Sequence, residues 1–178
     1  MSEAPSPKRA LLVIDMQSGL FHGPDRPHDG ERVLGNEPAD SSCARNRCAC
    51  IRRASHRPGR LADRAQCTDG RVAALAIDTA RDIVFDKTRP SCFAGTRLAE
   101  WLHAKGIGEI VIAGMKTQYC IDTACRAADD LGFRAVLVTD AHTCMDTPAL
   151  PAERIVAHHN ATLGGPFATL TTAEACAF

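Results

Sequence analysis

The sequence lacks a net charge, a long apolar run and an even set of cysteines, and each absence removes a class of function. Lys+Arg and Asp+Glu both number 21 among 178 residues, so no overall field draws the chain to nucleic acid or an anionic membrane. No apolar stretch approaches the roughly 20 residues of a membrane span. The early run "ALLVI" is too short for a signal peptide and ends at Asp15, so the expected location is the cytoplasm. Nine cysteines, an odd count, argue against a closed disulfide framework and for reduced thiols. Internal repeats and long linkers are also missing, and the length suits one domain over residues 1–178 with a core of ordinary size.

What is present is an alternation of two periods. "ALLVID" (Ala10–Asp15), "RDIVFDK" (Arg81–Lys87), "GEIVIAGM" (Gly108–Met115) and "FRAVLVTDA" (Phe133–Ala141) are apolar runs of strand length, as in a parallel sheet buried on both faces. Helical patterns separate the later runs. Leu98, Trp101 and Leu102 share one face of a helix that stops at Gly106, and Ile121, Ala124, Ala128 and Leu131 share one face of the next. "PALPAERIVAHHNATLGG" predicts a third helix, and "FATLTT" a short last strand. The expected fold is α/β, a three-layer αβα sandwich around a mostly parallel, roughly six-stranded doubly wound sheet.

In such sheets the chemistry collects at the carboxyl ends of the strands. Asp15, Lys87 and the loop leading to Cys120 all occupy strand ends. Cys120 stands where a helix begins, and free amides at a helix N-terminus draw a thiol toward thiolate. A small buried hydrophobe is the equally weighted alternative for that cysteine. Asp15 fits a base for the thiol proton or a turn residue. Lys87 fits a partner for the carboxylate or a solvated strand-end charge.

The blocks "LLVIDMQSGLF", "DKTRPSCFAGT" and "VIAGMKTQYCIDTACRAADDLGFRAVLVTDA" resemble the signature blocks of isochorismatase-like cysteine hydrolases. That superfamily includes nicotinamidases, N-carbamoylsarcosine amidohydrolases and streptothricin hydrolase-like enzymes. The resemblance implies a catalytic triad of Asp15, Lys87 and Cys120. It also implies a cis peptide between Met115 and Lys116, and an oxyanion hole from the backbone amides of Lys116 and Cys120. Gln17, Phe21 and Phe93 follow the blocks and are candidate pocket residues, with apolar wall packing as their alternative. The implied reaction is hydrolysis of a small-molecule amide or related C–N bond through a thioester, without cofactor, by a homodimer or larger homo-oligomer.

True isochorismatases lack the cysteine, so the C–N hydrolases are favoured. Nicotinamidases usually carry a metal-binding Asp/His cluster with a "DWHP"-like run, which this sequence does not have, so no metal is expected and nicotinamidase is the runner-up. A non-catalytic binding protein on the same fold is the contrasting expectation. His142 follows the strand ending at Ala141 and fits either a residue facing the site or, the favoured reading, a loop histidine bonded to backbone, while His158 and His159 read as structural or interface residues. Cys125 is expected to pack on the sheet and Cys144 to be open to surface reaction.

One segment breaks the pattern. "NEPADSSCARNRCACIRRASHRPGR" (Asn36–Arg60) stands where the first helix and second strand belong, yet it has neither period. Its C-x4-C-x-C spacing, with His56 and Cys67 beyond, matches no common zinc site. Its arginines have no aromatic partner for stacking on bases, and a solvated loop describes it better. A compensated pair of frameshifts over about 37–70 explains more. Codons for Glu37–Pro58 exist that, read one base later, give "NRLIRRARATGAPVFAVRHTGP", an amphipathic helix, a glycine turn and an apolar strand. On this reading the region is aberrant and the second strand is missing.

Overall fold

The computed structural model describes residues 7–17, 20, 25–35, 47–53 and 82–176, and of 34–35 and 47–53 the backbone only. Strand β1 is Lys8–Ile14, helix α1 Gly30–Gly35, strand β2 Arg47–Arg53 and strand β3 Val84–Lys87. Helix α2 (Leu98–Ala104) leads to β4 (Ile107–Met115). A π-helical turn (Thr117–Ile121) then runs straight into α3 (Asp122–Asp130). Strand β5 (Arg134–Thr143), helix α4 (Ala152–Leu163) and strand β6 (Ala168–Thr171) complete the order.

The six strands form one sheet in the order β3-β2-β1-β4-β5-β6, and every neighbouring pair is parallel. Alternation along each strand divides the core between two faces. Ala10, Leu12, Ile14, Ile110, Ile112 and Leu137 meet Leu98 and Leu102 of α2 and Ala124, Cys125 and Ala128 of α3 on one side. On the other, Val13, Met16 and Met115 pack with Val33 of α1, while Val111, Ala113, Val136 and Val138 sit under Ala173 and Cys176. The β-branched run "IVI" suits a strand covered on both faces, since such side chains fill the pleat.

Three expectations change. The segment without a period does contain a strand: β2 lies between β1 and β3 and pairs with both. Backbone N–H and C=O groups are the same for every residue, so an interior slot with two open edges can be occupied by "RCACIRR" despite its lack of alternation. The rest of 37–70, with Cys43, His56 and Cys67, lies outside the described residues. The helix expected to begin at Cys120 is preceded by a π-turn that holds that residue, and Leu131, placed on the helix's buried face by period, is 40% exposed because α3 ends at Asp130. Trp101 is half-buried and meets Phe85 of β3 edge to face at 5.5 Å.

Gly114 shows how closely β1 and β4 approach behind the site. Its φ is +116°, and a Cβ there would lie 2.2 Å from the carbonyl oxygen of Ile14. Only glycine fits this close passage.

Candidate active site

β1 and β4 are adjacent in space, and the sheet winds outward from them in opposite senses, which makes their carboxyl ends the crevice of this fold. Asp15 follows β1 directly. Its φ of +52° is left-handed, a conformation aspartate tolerates better than most residues. On the other side of the crevice the Met115–Lys116 peptide is cis, and the π-turn after it carries Cys120. Lys87 comes from the end of β3, two strands away from β1. Strands spaced about 4.8 Å apart put its backbone about 10 Å from β1, within reach of a long side chain.

These three side chains meet. Lys87 Nζ is 2.8 Å from Asp15 Oδ2 and 3.2 Å from Cys120 Sγ. It also donates toward the carbonyls of Arg89 at 3.2 Å and Pro90 at 3.4 Å. Asp15 is 2% exposed, Lys87 1% and Cys120 3%. The Asp15 carboxylate also acts on the Cys120 thiol through a side-chain hydrogen bond, and its buried Oδ1 has no further partner among the described residues.

Of the two readings its position left open, a thiol drawn toward thiolate and a buried small side chain, the surroundings of Cys120 favour the second. Burial and then the Asp15 carboxylate push its pKa up to about 11, and the opposing pull of Lys87 does not compensate. Desolvation acts on the whole side chain, whereas a turn of free amides supplies only partial charges.

Gln17 is buried close to Asp15 and bonds its backbone N–H to the Asp15 carbonyl. Phe93 stacks on Phe133 with ring centroids 6.2 Å apart and packs against the main core, the wall-packing alternative. Phe21 lies outside the described residues. Lys116 is half-buried beside the cis bond. Cys125 is buried in the core, as expected. Cys144 is buried too, not surface-open: the return of β5 into α4 covers it, and its thiol points at the carbonyl of Ala152. His159 bonds the Ile155 carbonyl through Nδ1 at 2.8 Å, and His158 lies on the exposed side of α4.

His142 differs from its sequence reading. It is buried and bonded to two side chains, Thr117 and Asn160, rather than to backbone. No local signal joins positions 117, 142 and 160, and only the packing of α4 against the strand ends reveals them. Among the described residues no group of three or more His, Cys, Asp or Glu is arranged to hold a metal.

The isochorismatase domain model matches residues 9–175, nearly the whole chain. The protein belongs to the isochorismatase family. A streptothricin hydrolase of Streptomyces noursei is 32% identical over 144 residues, covering 80% of this chain and 52% of that protein. An uncharacterized isochorismatase family protein of Bacillus subtilis (strain 168) is 30% identical over 174 residues, 93% of this chain and 97% of that one. The chain thus spans about half the length of the streptothricin hydrolase and nearly all of the second relative. Among solved structures, an isochorismatase from Pseudomonas putida KT2440 superposes with a TM-score of 0.81 at 23% identity, covering 95% of this chain and 90% of that one. At that identity the likeness carries the fold, and it agrees with the αβα architecture described above. No helix among the described residues is long and apolar enough to cross a membrane.

Proposed function

We propose that this family member is a cysteine hydrolase that cleaves a small-molecule amide or related C–N bond, with Cys120 as nucleophile, Asp15 as base and Lys87 as their cationic partner. One observation carries the proposal: a buried lysine ammonium within hydrogen-bond reach of both a carboxylate and a thiol at the crevice of the sheet. The high pKa of the thiol suits this assignment, because a protonated resting thiol needs an adjacent base at the moment of attack.

Asp15 takes the thiol proton as Sγ bonds to the substrate carbonyl carbon. The developing oxyanion is received by the amides of Lys116 and Cys120. Asp15 then returns the proton to the leaving nitrogen as the C–N bond breaks, which leaves a thioester on Cys120. Water, deprotonated by Asp15, attacks the thioester, and the product acid leaves as the thiol regains a proton. Lys87 stays paired with the Asp15 carboxylate between these steps.

An activity screen over small amides, with nicotinamide included for the nicotinamidase alternative, tests the reading. Cys120→Ala abolishes turnover of any amide the wild type cleaves, with the fold intact by circular dichroism. Full activity in that variant refutes the mechanism, and a wild type inert toward every amide favours a non-catalytic binding role. The family resemblance further supports self-association as a dimer or larger assembly, checked by analytical ultracentrifugation.

A further inference from the structure

The end of β5 brings an unassigned side chain onto the turn that carries Cys120. From Leu137 to His142 β5 advances five residues while β4 advances two, from Ile112 to Gly114. Extra residues in one strand of a pair re-aim its end. Here they set His142 beside the start of the π-turn, where the ring is bonded at both nitrogens.

Nδ1 lies 2.9 Å from Thr117 Oγ1 and Nε2 lies 2.8 Å from Asn160 Oδ1. Asn160 Nδ2 donates to the carbonyl of Thr139 at 3.3 Å, which turns the amide oxygen toward the ring. Nε2 therefore carries the proton, Nδ1 accepts, and the Thr117 hydroxyl donates. Asp140 and His159 are the charged or titratable groups that act on the ring, and burial keeps it neutral, with its pKa lowered to about 4.

Thr117 opens the π-turn, whose backbone is closed by Tyr119 N–H and Ile121 N–H on the Lys116 carbonyl at 3.0 and 3.3 Å. Single π-turns are rare, and nothing in the composition of "TQYCI" favours one over an α-turn. The turn is held from outside. Lys87 holds it at Cys120, and His142 holds it at Thr117.

We propose that His142 is a positioning residue that, clamped by Asn160, fixes Thr117 and with it the turn presenting Cys120. Its meaning for catalysis rests on Cys120 being the nucleophile, but its test does not require turnover. The test is alkylation of the full chain by iodoacetamide, with the rates at Cys120 and Cys125 read by peptide mass spectrometry. Both thiols are buried and five residues apart, but only Cys120 lies on the tethered turn.

Thr117→Val removes the hydroxyl that meets His142 and also touches the Cys144 thiol, and it speeds alkylation of Cys120 about tenfold, the local opening permitted by losing roughly one net hydrogen bond. It leaves Cys125 within about twofold, since a local opening does not reach α3. Thr117→Ser keeps the hydroxyl and the wild-type rate. His142→Phe also speeds alkylation of Cys120, and adding Thr117→Val to it speeds Cys120 no further, because the bond between the two residues is already gone. If His142→Phe does not fold, the Thr117 pair decides alone. Parallel acceleration of Cys125 overturns the proposal, as does an unchanged Cys120 or a Thr117→Ser as fast as Thr117→Val. Failure of the nucleophile reading shows separately, as amide hydrolysis that survives Cys120→Ala, and leaves the ratio of alkylation rates untouched.

Discussion

Lys87 has more acceptors around it than protons to give: a carboxylate oxygen, a thiol sulfur and two carbonyls surround one ammonium. Burying the ion is tolerable only because every proton is used. Lys87→Met keeps the length and removes the charge, stranding a buried Asp15 carboxylate. The expected loss is about 3–5 kcal/mol, read by urea unfolding, together with loss of any amide hydrolysis. His142 supplies a pH prediction at the same scale. Its folded pKa of about 4 lies below the ordinary 6.5, so its contribution is fully present above about pH 6.5 and is lost as the pH falls through 4. The full effect is up to about 3 kcal/mol. Stability measured against urea at several pH values falls more steeply in the wild type than in His142→Gln, and equal slopes would count against the assignment.

At the scale of elements, two close fits build the crevice. Gly114 lets β4 pass against Ile14, and Gly114→Ala places a Cβ inside van der Waals distance of backbone that cannot move aside. With the positive φ added, the expected cost is about 3 kcal/mol or more. A drop in melting temperature checks it, and an unchanged melt would mean that the strands are not this close. β2 is the other fit. The strand spans Arg47–Arg53, and the shifted reading of Glu37–Pro58 places its apolar stretch over nearly the same positions. The coding DNA is therefore expected to give that helix-turn-strand sequence when read one base later. Codons that cannot do so would end the frameshift account. The apolar strands β1, β4 and β5 were legible because burial on both faces leaves a continuous signature. β2 was illegible because its slot is defined by neighbours rather than by its own side chains.

At the scale of the whole molecule, the order β3-β2-β1-β4-β5-β6 brings residues 15, 87 and 120 to one point. Asp15, Lys87 and Cys120 were each visible in the sequence as reactive residue types at strand ends, and the resemblance joined them. Strand period, helix period and the placing of chemistry at strand ends depend on local pattern, so the sequence by itself determined the fold class and the candidate residues. Distance and solvation depend on residues far apart in the chain. Only the tertiary structure decided that Lys87 lies 2.8 Å from Asp15 and that burial raises the Cys120 thiol instead of lowering it. It alone also decided that His142 reaches Thr117 and Asn160. Such contacts are made by the approach of elements, and no local pattern records them.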